Sequence, residues 1–150
     1  MSSIVIVLPK IEDGKRIRDI LAKRGYEGVG SDIQEAYAGV ADGTAVTTAP
    51  YVSLDITDQA AVEKVITEIH PDVIVHCAAW TAVDMAEDDD KVAKVRAINA
   101  GGTQNIANVA KAIDAKMVYI STDYVFDGQG DTPWQPDCKD YKPMNVYGQT

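Results

Sequence analysis

The sequence is poor in cysteine, in basic residues and in long apolar runs, and each shortage excludes a class of protein. Cys77 and Cys138 are too few for a disulfide framework and lack the spacing of metal ligands. With 14 Lys and Arg against 23 Asp and Glu, the net charge of −9 argues against a nucleic-acid partner. No apolar run approaches the ~20 residues of a membrane span, and no signal peptide precedes the first apolar run. We therefore expect a cytoplasmic protein without metal, membrane or nucleic-acid partners.

Short apolar runs alternate with amphipathic stretches along the whole chain. The runs predict strands at Ile4–Leu8, Glu27–Ser31, Tyr51–Leu54, Val73–Cys77 and Met117–Ile120. Helices are predicted at Lys15–Arg24, across 62–69 before Pro71, at Asp89–Asn99 and at Gly102–Ile113, with loops at 36–50 and 127–145. This alternation predicts an α/β fold: a doubly wound, mainly parallel sheet of about five strands with helices on both faces, Rossmann-like or flavodoxin-like, in one domain over residues 1–150.

Glycine is missing where it would be most informative. In dinucleotide-binding domains a loop with three glycines joins the first strand to the first helix and holds the pyrophosphate. Here that loop is Leu8-Pro9-Lys10-Ile11-Glu12-Asp13-Gly14, in which Leu8 and Ile11 occupy two glycine positions and only Gly14 matches. Branched side chains and two acids in this loop oppose the approach of a phosphate. As the chain stands, we expect no bound cofactor.

Ligands of parallel sheets bind at the carboxyl ends of the strands, so residues just after each strand are the candidates. Asp32 follows the second strand, 18 positions after Gly14. It could accept a hydrogen bond from a ribose hydroxyl, or it could simply form a turn. Asp55, after the third strand, could contact an adenine edge or act as a phosphoacceptor, whereas Thr57 or Asp58 could cap the next helix.

After the fourth strand, Ala78 and Ala79 are small enough for a flat cofactor to lie on the backbone, while His76 and Cys77 are interpreted as core residues. The acidic run 87–90 is interpreted as favourable charge at a helix N-terminus, not as a metal site.

Two hydroxyl groups could carry chemistry. Thr122 follows the fifth strand, next to Ser121, and could polarise a substrate carbonyl. Tyr147 begins a Tyr-x-x-x-Lys frame, in which a lysine on the same helical face would lower the pKa of the phenol so that it can deliver a proton. The lysine position, 151, lies beyond Thr150. We therefore expect the chain by itself to be inactive.

Four segments together resemble the extended branch of the short-chain dehydrogenase/reductase superfamily, and within it the nucleotide-sugar reductases. They are Tyr51–Asp58 (YVSLDITD), His76–Asp84 (HCAAWTAVD), Ser121–Gly128 (STDYVFDG) and Asn145–Thr150 (NVYGQT). The resemblance covers about residues 26–150 and implies an NADH- or NADPH-dependent oxidoreductase. It implies that Thr122 is the catalytic hydroxyl and Tyr147 the proton donor, with Tyr124 and Phe126 towards the sugar. It also implies that Ala78, Ala79 and Thr81 line the cofactor, that Asn99 is a structural or cofactor-side helper, and that a further substrate domain is absent here. Asp55 and Ile56, after the third strand, are the other candidates for cofactor binding.

Residues 4–26, in contrast, resemble the first strand and helix of a response-regulator receiver domain. Because both folds are doubly wound, this predicts a chimera of a receiver-like unit (1–25) and a reductase-like part (26–150). The favoured interpretation is an inactive, engineered or chimeric folding unit derived from a nucleotide-sugar reductase. The alternative is a cofactor-binding fragment of an NAD(P)H-dependent nucleotide-sugar reductase. A truncated sheet edge would also allow self-association.

Overall fold

The computed structural model describes residues 3–7, 20, 21, 23–35 and 50–150, with residues 3–7 described by their backbone alone. Its centre is a parallel sheet formed by β1 (Ser3–Val7), β2 (Glu27–Asp32), β3 (Tyr51–Ser53), β4 (Val73–His76) and β5 (Lys116–Tyr119). The strand order is β3-β2-β1-β4-β5, and all four neighbouring pairs are parallel. The chain therefore crosses from β3 at one edge to β4 beyond β1, so that the sheet has its switch point between β1 and β4. The predicted α/β fold with a parallel sheet is confirmed.

Three α-helices follow β3 and β4: α1 (Gln59–Ile69), α2 (Asp89–Arg96) and α3 (Thr103–Ala112). The carboxylate of Asp58 accepts a hydrogen bond from the Ala61 amide at 3.0 Å and so caps α1. At the other end, α1 stops before Pro71, as the sequence predicts. His70, which ends the helix, adopts a left-handed conformation (φ 49°). The separate helices predicted around residue 100 are in fact continuous, since a π-helical turn at Ala97–Gly102 joins α2 to α3.

The main core lies between the sheet and the face of α1 and α3. Its fully buried side chains include Val62 and Ile66 of α1, Ile74 of β4 and Ile106 of α3. These positions recur at the helical and strand periods that the sequence shows, so one apolar face of each element meets the others. Val73, Val75 and Cys77 alternate with the core residues of β4 and pack with Leu21 on the opposite face. Both faces of β4 are thus covered, as expected for a parallel sheet.

Several predictions concern residues outside the described ranges. They include the loop from Leu8 to Gly14, most of the helix at Lys15–Arg24 and the loop at 36–49. The end of that helix is described: the Arg24 amide donates to the Ile20 carbonyl at 3.1 Å, and Gly25 follows with φ +75°. Glycine enters this left-handed region without a steric penalty, so the predicted stop at Gly25 is confirmed.

β5 lies at one edge of the sheet and exposes apolar side chains. Val118, Tyr119 and Ile120 are 47%, 49% and 60% exposed, respectively. Such an edge offers unpaired backbone groups together with apolar surface. Self-association through it stays a prediction. Among the described helices, none is long and apolar enough to cross a membrane.

The π turn packs closely on the loop that follows β3, and this contact can be tested. A Cβ at Gly102 would lie 2.5 Å from Ile56 Cδ1, whereas a Cβ at Gly101 would meet only the Arg96 carbonyl, at 3.9 Å. Overpacking should therefore make Gly102→Ala less stable, by roughly 1–3 kcal/mol. Gly101→Ala, the matched control, should be neutral or more stable by up to about 1 kcal/mol. Urea unfolding measures both, and equal midpoints for the two variants would contradict this packing.

Candidate functional site

The loops that follow β4 and β5 meet the turn at 146–149 around a cavity of about 220 Å³. Five predicted site residues line this cavity: Ala78, Ala79, Asn99, Thr122 and Tyr147. The remaining lining residues are Thr103, Tyr119, Ile120, Ser121, Val125, Gly148, Gln149 and Thr150. None of these lining residues has a charged side chain. The cavity therefore offers hydroxyl, phenol and amide groups in an uncharged setting.

Asn99, in the π turn, holds the loop that follows β4. Its Oδ1 accepts a hydrogen bond from the Trp80 amide at 2.7 Å, and its Nδ2 donates to the Trp80 carbonyl at 3.3 Å and to Thr150 Oγ1 at 3.1 Å. The side chain is only 6% exposed, so these bonds satisfy polar groups that water reaches poorly. A π turn widens the helix locally and is often found at functional sites. Here the π turn places the side-chain amide of Asn99 between two segments, the one at Trp80 and the one at Thr150.

Thr122 begins the short 3₁₀ helix Asp123–Val125. Its Oγ1 accepts a hydrogen bond from the Tyr124 amide at 3.2 Å and donates to Asp123 Oδ1 at 3.3 Å. The hydroxyl is thereby held at the cavity wall by the two residues that follow it, Asp123 and Tyr124. This is the placement expected of a residue that follows a parallel strand.

Tyr147 lines the same cavity as Thr122 and packs edge-on against Tyr124, with ring centroids 5.6 Å apart. Burial raises the pKa of the Tyr147 phenol, and the nearby Tyr119 adds to the rise, whereas interaction with the Thr122 side chain acts in the opposite direction. A raised pKa keeps the phenol protonated at neutral pH. It also makes the phenol a weaker acid, in contrast to the lowered pKa that a lysine four positions further on would produce.

His76 lies beneath the cavity, at the end of β4, and its side chain is 1% exposed. Its Nε2 is 2.8 Å from Thr103 Oγ1, and its ring packs near that of Tyr119, with centroids 5.7 Å apart. Its Nδ1 has no hydrogen-bond partner among the described residues. Burial lowers the pKa of His76 from 6.5 to about 4. The interpretation of His76 as a core residue is confirmed, and its imidazole is neutral at pH 7.

Other predicted site residues lie elsewhere. Asp32 ends β2, and its carboxylate accepts a hydrogen bond from the adjacent Ile33 amide at 2.6 Å. Asp55 Oδ1 accepts from the Thr57 amide at 2.9 Å and from the Thr57 hydroxyl at 2.7 Å, which is a local turn. Ile56 is buried in the main core, and the exposed Thr81 does not line the cavity. Gly14 lies outside the described residues, among which no group of side chains could hold a metal ion.

Thr103 and Tyr119 line the cavity, although neither is predicted from the sequence. Thr103 stands four positions after Asn99, so a shared helical face could have indicated it. Tyr119 is the strand residue paired with His76, which only the register reveals.

Comparison with known proteins settles the family. Residues 18–150 match the sequence model of the RmlD substrate binding domain. The chain belongs to that family. A dTDP-4-dehydrorhamnose reductase of Mycolicibacterium smegmatis is 38% identical over 143 residues, which cover 92% of this chain and 42% of that protein. This member of the RmlD substrate binding domain family thus spans less than half the length of a full reductase.

Solved structures agree with this assignment to the RmlD substrate binding domain family. A dTDP-4-dehydrorhamnose reductase of Clostridium acetobutylicum matches with a TM-score of 0.80 and 33% identity, covering 98% of this chain and 45% of that one. The corresponding enzyme of Bacillus anthracis, solved in complex with NADP, matches with a TM-score of 0.76 and 32% identity, over 99% of this chain and 46% of that one. The resemblance to nucleotide-sugar reductases is therefore confirmed.

The receiver-like interpretation of residues 4–26 is not supported, and neither is the chimera. The M. smegmatis reductase aligns with 92% of the chain and the C. acetobutylicum structure with 98%, so reductase similarity extends into the N-terminal part. The error has a physical cause. A buried strand followed by an amphipathic helix begins every doubly wound fold, so this pattern cannot separate one such family from another.

The buried His76 should make the protein sensitive to mild acid. The folded chain holds the imidazole neutral down to about pH 4, whereas the unfolded chain takes up a proton below 6.5. Stability from this group is therefore complete above pH 6.5 and is lost as the pH falls from 6.5 to 4, by roughly 3 kcal/mol in total. Urea unfolding at several pH values measures the loss.

Two variants identify the group responsible for this acid sensitivity. His76→Asn should flatten the decline in stability between pH 6.5 and 4, whatever its stability at pH 7. His70→Asn removes the only other imidazole, at an exposed left-handed position that asparagine tolerates, and should keep the decline. An undiminished decline in His76→Asn would contradict the assignment.

Proposed function

We propose that this chain is the cofactor-binding part of an NAD(P)H-dependent dTDP-4-dehydrorhamnose reductase. The 220 Å³ cavity would receive the reacting end of the nicotinamide nucleotide. The observation that carries the proposal is the meeting of Ala78 and Ala79 with Thr122 and Tyr147 around this one cavity. The relatives named above support both the substrate and the cofactor class.

The cavity fits one end of a dinucleotide better than the whole. Pockets for complete ligands are typically about 300–1,000 Å³, and this one is smaller. Methyl side chains at Ala78 and Ala79 leave space for a flat ring, while Asn99, Thr103 and Ser121 offer polar groups at the wall. An uncharged lining suits a nicotinamide and a sugar carbonyl, whereas a pyrophosphate calls for amides or cations.

The chain's own groups supply the proton chemistry. When bound, the reduced nicotinamide supplies a hydride. The Thr122 hydroxyl would turn its hydrogen from Asp123 Oδ1 to the substrate carbonyl, and the Tyr147 phenol, protonated at neutral pH, would donate the proton to that oxygen. Asp32, at the end of β2, would accept a hydrogen bond from the ribose and so favour NADH over NADPH.

Titration of the chain with NADH and NADPH by calorimetry tests the proposal. We expect measurable binding at millimolar nucleotide or below. Ala79→Leu should weaken it at least about tenfold, because the larger side chain fills the cavity. Ala112→Leu makes the same change at the exposed end of α3 and should bind like the unaltered chain. The absence of binding, or equal binding by Ala79→Leu, would refute the proposed site.

A further inference from the structure

Tyr147 lies in a single turn that has little support of its own. The Gln149 amide donates to the Asn145 and Val146 carbonyls at 3.2 and 3.1 Å, and the Gly148 amide donates to Asn145 Oδ1 at 2.7 Å. One isolated turn is not stable in water, because its few hydrogen bonds do not offset the cost of ordering the backbone. Something outside the turn must therefore hold the phenol in place.

Three side chains from one stretch of the chain contact this turn. Glu87 Oε1 accepts a hydrogen bond from the Val146 amide at 2.6 Å, although the two residues are 59 positions apart. Arg96 Nη2 donates to Gln149 Oε1 at 3.1 Å. Farther along, Asn99 donates to Thr150 Oγ1. The contacts thus come from the residue two positions before α2, from the last residue of α2 and from the π turn that follows it.

We propose that Glu87 is a positioning residue for Tyr147, acting through the backbone amide of Val146. The inference rests on the proposed function, in which Tyr147 is the proton donor. Glu87 bonds to the residue directly before Tyr147, whereas Arg96 and Asn99 bond beyond it. A carboxylate that accepts from a backbone amide also forms one of the stronger hydrogen bonds in proteins.

The backbone at Glu87 is itself held in place. Glu87 ends the 3₁₀ helix Asp84–Glu87, in which Ala86 is completely buried and donates its amide to the Ala82 and Val83 carbonyls, both at 3.1 Å. The turn it holds has little freedom on the other side, because a Cβ at Gly148 would overlap the Tyr124 carbonyl. Tyr147 is thereby confined between the 3₁₀ helix after β4 and the one after β5.

Four variants separate the reach of this side chain from its charge. Glu87→Gln keeps an acceptor at the same distance, while Glu87→Asp keeps the charge on a shorter side chain. Glu87→Ala removes both, and Asp89→Ala removes a neighbouring charge for which the structure shows no contact to the turn. Two NMR readouts apply to each folded variant: hydrogen exchange of the Val146 amide, and the ring signal of Tyr147, assigned by its loss in Tyr147→Phe.

Positioning by the hydrogen bond predicts a specific order. In Glu87→Ala and Glu87→Asp, Val146 exchange should rise at least about tenfold and the Tyr147 ring signal should move. Glu87→Gln and Asp89→Ala should remain close to the unaltered chain in both readouts. An unchanged Tyr147 signal in Glu87→Ala, or a Glu87→Asp that behaves like the unaltered chain while Glu87→Gln does not, would overturn the proposal. Neither readout uses nucleotide, so a failure of cofactor binding is a separate result.

Discussion

The register between β4 and β5 is the constraint on which the site depends. His76 is paired with Tyr119, so the two strands end at the same level of the sheet. The segments that follow therefore leave the sheet side by side, and Ala78–Ala79 and Ile120–Thr122 line one cavity. A slip of one residue would turn every side chain of β5 to the opposite face of the sheet. On β4, Ile74 and His76 are buried against α3, which determines which of its side chains face that helix. This burial opposes a change of register on the β4 side.

Much of this arrangement is readable from local sequence patterns. Apolar runs locate the strands, helical periodicity locates α1 and α3, and the rule that ligands bind at strand ends indicates Ala78, Ala79 and Thr122. These features are local, since each depends on a few neighbouring residues and on the two periods of regular structure. The start of a Tyr-x-x-x-Lys frame indicates Tyr147, and resemblance to a family adds Asn99, whose place in a helix carries no chemical pattern by itself.

The features that local patterns miss are contacts between distant residues. The hydrogen bond from Val146 to Glu87 joins positions whose separation no periodicity records, and the acidic run around Glu87 suggests only a helix N-terminus. Asp55 and Ile56 show the converse, because a strand-end position that looks available for a ligand is taken by a local turn and by the core. The π turn at Ala97–Gly102 is not predicted either, and the close approach of its Gly102 to Ile56 is another contact between distant positions.

Because the cavity lining is uncharged, the affinity of the cavity for a ligand should depend little on salt concentration. Attraction between charges weakens as the ionic strength rises, over a Debye length of about 10 Å at 0.1 M salt. Hydrogen bonds from hydroxyl, phenol and amide groups are far less affected. Affinity that originates in this cavity should therefore persist at high salt, and a strong salt dependence would identify a different, charged part of the protein as the source of the binding energy.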